Sequence, residues 1–152
     1  MYKNKKQIIN HYEESIDWVK ILTNLSEEKW RTQIDKGKWT IAEIIGHLIP
    51  WDEFVLNQRI PYLLKATQLP NSLNAEFINH QASIDSKSRP KDETIKLFIA
   101  VRKKLINTLN DLSDELWTQD FIIGKDNIAL FSYFAGLVEH DEHHFRQIQR
   151  VL

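Results

Sequence analysis

Apolar residues recur at helical spacing along nearly the whole chain. A first helix is expected from about Asn4 to Asn24, with Ile8, Tyr12, Ile16, Val19 and either Leu22 or Ile21 on one face. Thr40-Ile-Ala-Glu43 has the form of a capping box, in which the threonine hydroxyl meets the amide that Glu43 brings. It opens a second helix through Ile41, Ile44, Ile45, Leu48 and Val55 to about Leu64. Pro50 falls inside this helix and is expected to kink it, because proline removes a backbone donor and crowds the preceding turn.

Leu69-Pro-Asn-Ser-Leu-Asn74 reads as a loop, followed by a short helix from about Ala75 to Asp85. Ser88-Arg-Pro-Lys-Asp-Glu93 carries proline and acidic residues suited to a first turn. The helix it starts presents Ile95, Phe98, Ile99, Val101, Leu105 and Leu109. After Gly124-Lys-Asp-Asn127, a last helix is expected from Ile128 to about Arg150. Phe121-Ile-Ile123 is the one strand candidate, and it is short. Four glycines and four prolines agree with few, long elements. The expected class is all-α.

Leu22-Thr-Asn-Leu-Ser-Glu-Glu-Lys-Trp30 resembles Leu109-Asn-Asp-Leu-Ser-Asp-Glu-Leu-Trp117. Each ends a long helix, continues into a Ser-capped acidic turn and closes on tryptophan. Two helix–turn–helix halves of this design imply a four-helix bundle with pseudo-twofold symmetry and a long middle connection. The competing reading is that such segments are a common way to end one helix and start another.

Composition narrows the chemistry. A chain of 152 residues, 42% hydrophobic and 27% charged, is expected to fold as one domain spanning 1–152. Lys+Arg total 20 against Asp+Glu 21, and the basic clusters Lys3, Lys5, Lys6 and Arg102, Lys103, Lys104 are too short to make a groove. Neither nucleic acid nor an anionic membrane is therefore an expected partner. No apolar run approaches a membrane span and no signal-like stretch follows Met1, so a cytoplasmic location is expected. There is no cysteine, which excludes disulfides, thiolate nucleophiles and Cys-type metal sites. Any transition metal must be held by histidine and carboxylate.

Of six histidines, three lie in His140-Asp-Glu-His-His144 on the last expected helix. The apolar face there is defined by Phe131, Phe134, Leu137, Val138, Phe145, Ile148 and Leu152. At about 100° per residue, His144 falls at its edge and His140 lies about 40° further round on the same flank, while His143 points away. His140 and His144 therefore form an i, i+4 pair able to grip one ion. His47, at the flank of the second helix beside Trp51, is the candidate third ligand. Three neutral imidazoles would leave a coordination position for water or substrate. Each histidine also has an ordinary reading as a boundary residue, and His11 and His80 are given only that reading.

Glu43, one turn before His47, is open to orienting its ring, although the capping box accounts for it. Asp141 projects onto the middle of the apolar face, where an unpaired charge is costly. It pairs with a base from another helix, faces a polar cavity, or marks an error of phase. The tryptophans at 18, 30, 39, 51 and 117 are expected at helix ends and bundle edges, with Trp51 alone placed to line a pocket. Nothing marks a catalytic side chain.

Gly37-Lys-Trp-Thr-Ile-Ala-Glu-Ile-Ile-Gly-His-Leu48 resembles the second-helix segment of the DinB/YfiT-like proteins, which supplies a metal histidine. Ala135-Gly-Leu-Val-Glu-His-Asp-Glu-His-His-Phe-Arg-Gln-Ile148 resembles their last-helix H-x-x-x-H segment. The resemblance covers essentially the whole chain in order and spacing. It implies a four-helix bundle of up-down-down-up connectivity, a divalent metal on His47, His140 and His144, and a homodimer. Zinc and nickel come first as the ion, with iron and manganese as alternatives. Similar proteins include bacillithiol S-transferases and mycothiol-dependent maleylpyruvate isomerase. The implied activity is a metal-dependent hydrolase or thiol-dependent S-transferase acting on a small molecule, with a low-molecular-weight thiol as partner. One departure is Pro50, where such proteins often carry an acidic residue before the tryptophan. The alternative function is a non-catalytic bundle that sequesters a small molecule. A third is an interaction module acting through dimerisation.

Overall fold

In a computed structural model, which describes residues 4–64, 74–123 and 125–152, the long elements are helices. They are α1 (Lys5–Ile21), α2 (Glu27–Trp30), α3 (Ile41–Gln58), α4 (Ile60–Leu64), α5 (Ala75–Ser88), α6 (Lys91–Asp111) and α7 (Leu130–Gln149). Short 3₁₀ turns follow α1 and α6, and a two-stranded hairpin, β1 (Asp120–Ile123) and β2 (Asp126–Ala129), precedes α7.

The helix starts are set by local chemistry. Asn4 caps α1 by accepting from the Gln7 amide, and Asn74 caps α5 by accepting from the Phe77 amide at 3.1 Å. The capping box of α3 is complete: Thr40 Oγ1 accepts from the Glu43 amide while Glu43 Oε1 accepts from the Thr40 amide. The helix then runs past Pro50 to Gln58. The helix expected to continue to about Leu64 is broken at Arg59, two residues before Pro61, whose ring and missing N–H disfavour a helix continuing through Ile60.

Buried side chains form two clusters along the bundle axis. One draws on the first half of α1, the second half of α3 with α4, the second half of α6 and the first half of α7. The other draws on the end of α1, the first half of α3, the start of α6 and the end of α7. The helices α1 and α7 therefore run one way and α3 and α6 the other, which is the up-down-down-up bundle. Because α3 and α6 are parallel, their connection must travel back along the bundle. Within that connection α5 makes the return, from Asn79 beside Trp51 to Ser83 beside Glu43. The two tryptophans of the repeated turn close opposite ends: Trp30 sits in one cluster and Trp117 in the other. The halves differ in detail, since Ser26 caps α2 through its side chain and Ser113 makes no such bond.

Some expectations shift. Ile128 belongs to β2 and not to the last helix, because Phe121 and Ile128 pair across the hairpin. Ile21 and Leu152 are exposed, and Leu22 takes the core position at the end of α1. The loop expected at 69–74 lies, apart from Asn74, outside the described residues. Among the described residues no helix is long and apolar enough to cross a membrane.

Candidate metal centre

His47 of α3 and His140 and His144 of α7 bring their ring nitrogens together, with one ligand atom from each lying within 4.8 Å of the others. His140 Nε2 and His144 Nε2 are 3.1 Å apart. Two ligands of a tetrahedral ion with bonds of about 2.0–2.1 Å are separated by about 3.4 Å, so the pair is close to a chelating distance. The ring centroids of His47 lie 4.7 Å from His144 and 6.0 Å from His140. His47 is buried, His144 half-buried and His140 exposed.

Two rings are held from behind. His47 Nδ1 donates to the Ile44 carbonyl one turn back, which leaves Nε2 as the lone-pair nitrogen. His144 Nδ1 donates to Gln147 Oε1 at 2.8 Å, with the same result. Burial holds the His47 imidazolium pKa down at about 3, with His144 adding to the effect. Burial is also the largest cause of the lowered values of His140 and His144. All three are therefore neutral near pH 7 and free to offer lone pairs.

Glu43 does not orient His47. Its Oε2 accepts from the Ser83 hydroxyl of α5, so the carboxylate joins the capping box to the middle connection. The side chain packed on His47 is Trp39, at a centroid distance of 4.8 Å. A turn carries it there: Gly37 has φ +74, and the Trp39 carbonyl accepts from the Ile34 amide. Trp51 lines the adjoining cavity as expected, and its Nε1 donates to Asn79 of α5. His143 and His80 are exposed.

Asp141 pairs with a base from another helix. Its Oδ2 accepts from Arg102 Nη1 at 2.6 Å and from His11 Nε2 at 3.0 Å. Arg102 also grips Asp52 with Nε at 3.0 Å and Nη2 at 3.1 Å, and its Nη1 reaches Ser15 Oγ at 3.2 Å. Its guanidinium lies between the Tyr12 and Phe98 rings. Burial pushes the Asp141 carboxyl upward, but Arg102 and His11 outweigh it and hold the group below its usual range. Burial leaves Asp52 raised, with Arg102 opposing it only in part.

His11 is thus a buried partner and not a boundary residue, and Arg102 is no part of a basic surface cluster. A sequence signal for both existed. Arg102 continues the Ile95, Phe98, Leu105, Leu109 stripe, and His11 with Ser15 flanks the Ile8, Tyr12, Val19 stripe. A polar residue at a core position of one helix is informative when other helices carry their own. Here α1, α3, α6 and α7 each do.

Beside the histidines lies a cavity of about 470 Å³, walled by His47, Trp51 and Val55 of α3, by Arg59 just past its end, and by Tyr133, Leu137 and His140 of α7. The size suits a small-molecule ligand. The DinB superfamily model matches residues 15–148, most of the chain. The chain belongs to that superfamily. Among solved structures, YfiT from Bacillus subtilis is 20% identical with a TM-score of 0.80, covering 97% of this chain and 85% of that one. It is described as a probable metal-dependent hydrolase with an unusual four-helix bundle topology. An uncharacterized protein from Clostridium difficile 630 is 13% identical with a TM-score of 0.77, covering 99% and 96%. The mycothiol-dependent maleylpyruvate isomerase is 10% identical with a TM-score of 0.67; 96% of this DinB-superfamily chain aligns to 58% of it. At these identities the likeness is one of fold. No curated protein matches the sequence.

Proposed function

We propose that this protein is a divalent-metal-dependent enzyme in which His47, His140 and His144 hold the ion and the adjoining cavity receives a small-molecule substrate. The observation that carries the reading is the convergence of three neutral imidazole nitrogens from two helices, two of them held from behind at Nδ1. Zinc and nickel fit the donor set, and iron and manganese are the alternatives.

When bound, such an ion supplies Lewis acidity and lowers the pKa of a coordinated water or thiol. The protein's own part is placement. Ile44 and Gln147 fix the ring orientations, Trp39 covers His47, and the cavity admits substrate from the side where His140 is exposed. The finer assignment is a thiol-dependent transferase or a hydrolase. Because the chain has no cysteine, the sulfur of a thiol-dependent reaction arrives with a low-molecular-weight cosubstrate.

Metal analysis of untagged protein tests the reading, with His47→Ala and His144→Ala in parallel. One ion per chain in wild type and a loss of at least tenfold in affinity in both variants is the expected result. Wild type that takes up no metal after reconstitution with zinc, nickel, iron and manganese overturns it.

A further inference from the structure

Charged side chains line the cavity beside the histidines, but their charges are already matched. Arg102 binds Asp52 through Nε at 3.0 Å and Nη2 at 3.1 Å, and Asp141 through Nη1 at 2.6 Å. Arg59 is 2% exposed, lies over the Phe54 ring and is hydrogen-bonded to Tyr133. A charged ligand would lose its hydration here without meeting an uncommitted counter-charge, which is costly. Much of the remaining wall is apolar, with Val55, Leu105 and Leu137 among its side chains.

Asn79 differs from these groups. It stands one turn after Ala75 on α5, and both residues line the cavity. Its Oδ1 accepts from Trp51 Nε1 at 2.9 Å. An indole N–H can only donate, so this bond decides which way round the amide sits: the oxygen faces Trp51 and the NH₂ group faces elsewhere. Among the described residues Nδ2 has no hydrogen-bond partner. Trp51 follows His47 by one turn of α3, and His47 and His140 line the same cavity. The fold thus holds an oriented, uncommitted donor in the wall of the cavity that the histidines share.

We propose that Asn79 seats the ligand of this cavity: its Nδ2 donates to an acceptor oxygen, such as a carbonyl, on an uncharged molecule whose apolar body packs against Trp51, Val55, Leu105 and Leu137. The proposal deepens the metal-dependent reading by naming the substrate class, and rests on that reading only for what the histidines then do to the molecule. Asn79 is a binding and specificity residue and takes no part in bond making. Trp51 is its positioning partner.

The test uses the full chain freed of metal with a chelator, so that no ion can hold a ligand oxygen. Metal content before that treatment decides the metal reading by itself. Acetophenone, its hydrocarbon isostere α-methylstyrene and benzoate are titrated, and the Trp51 indole N–H resonance reports binding in this cavity. In wild type, acetophenone is expected to shift that resonance and to bind more tightly than benzoate. The ratio of acetophenone to α-methylstyrene affinity is expected to fall about fivefold in Asn79→Leu, the worth of one hydrogen bond. Asn79→Asp separates donation to the ligand from packing, since its carboxylate still accepts from Trp51 but has no N–H to give. The ratio is expected to fall at least as far there, whereas a purely structural role would leave it unmoved. Three results overturn the proposal: no acetophenone binding at Trp51, benzoate bound as tightly as acetophenone, or a ratio unchanged in either variant.

Discussion

Asp141 Oδ2 accepts a 2.6 Å hydrogen bond from Arg102 Nη1 at the level where the two apolar clusters of the bundle meet. Asp141 lies between Val138 of one cluster and Phe145 of the other. Arg102 likewise lies between Leu105 and Phe98, and Asp52 between Val55 and Ile49. A buried polar layer therefore spans α3, α6 and α7, and His11 and Ser15 bring α1 into it. Asp141 also immediately follows His140, so the layer fixes the turn of α7 that carries the candidate metal site.

Removing one partner from this layer leaves the others charged and buried. Asp141→Ala is expected to destabilise the fold by about 3–5 kcal/mol, as breaking a buried ion pair does. Replacing Asp52, Arg102 and Asp141 together with Leu, Met and Leu is expected to recover most of that loss, since no charge then remains to be solvated. Urea denaturation of the two variants checks the contrast. A triple variant less stable than Asp141→Ala contradicts it.

Stability of the metal-free protein is expected to fall in mild acid. The folded-state pKa of His47 is depressed to about 3 by burial, against about 6.5 in the unfolded chain. The unfolded state then binds the extra proton between these values, so the His47 contribution is whole above about pH 6.5 and is lost as pH falls toward 3. His47 alone accounts for about 2 kcal/mol between pH 7 and pH 5, at about 1.4 kcal/mol per pH unit. The lowered values of His140 and His144 act in the same direction. Denaturant midpoints at several pH values measure the slope, and His47→Gln is expected to flatten it.

Gln147 is expected to matter for metal although it offers no ligand to it. It accepts from His144 Nδ1 at 2.8 Å, which sets both the tautomer and the ring direction. Gln147→Leu is expected to lower metal affinity about 10–100-fold while leaving the circular dichroism unchanged. Competition with a chromophoric chelator reads that affinity. His143→Ala, on the exposed side of α7, serves as the matched control and is expected to bind metal as wild type does.

Gly46 is fixed by close packing and not by its backbone angle. A Cβ there would fall 1.8 Å from Ser86 Oγ and 2.9 Å from Ser86 Cβ on α5. Gly46→Ala is expected to cost about 1–3 kcal/mol, the range for overpacking. Adding Ser86→Gly removes the clash and is expected to make the two changes less than additive. Thermal unfolding of the four-member cycle decides this.

The chain's order of residues determined the helices, and with them much of the site. Thr40 and Glu43 mark the start of α3 because a capping box is local chemistry, complete within four residues. The spacing of His140 and His144 places both on one flank of α7 for the same reason: helical geometry is periodic and needs no partner. The repeated turn ending in Trp30 and Trp117 carried the bundle's symmetry. Where the reading failed, the deciding interaction lay far away in sequence. The partner of Asp141 is 39 residues distant and that of His11 is 130, so neither side chain could be given a partner until the helices were packed. The carboxylate of Glu43 was drawn from His47 to Ser83 by the position of α5, which no local rule sets. The cavity beside the histidines likewise draws its walls from α1, α3, α5, α6 and α7, and exists only once they are packed. Periodicity fixes which face of a helix a residue occupies; which neighbour meets that face, and whether a buried charge there is neutralised or exposed to a ligand, is decided by packing alone.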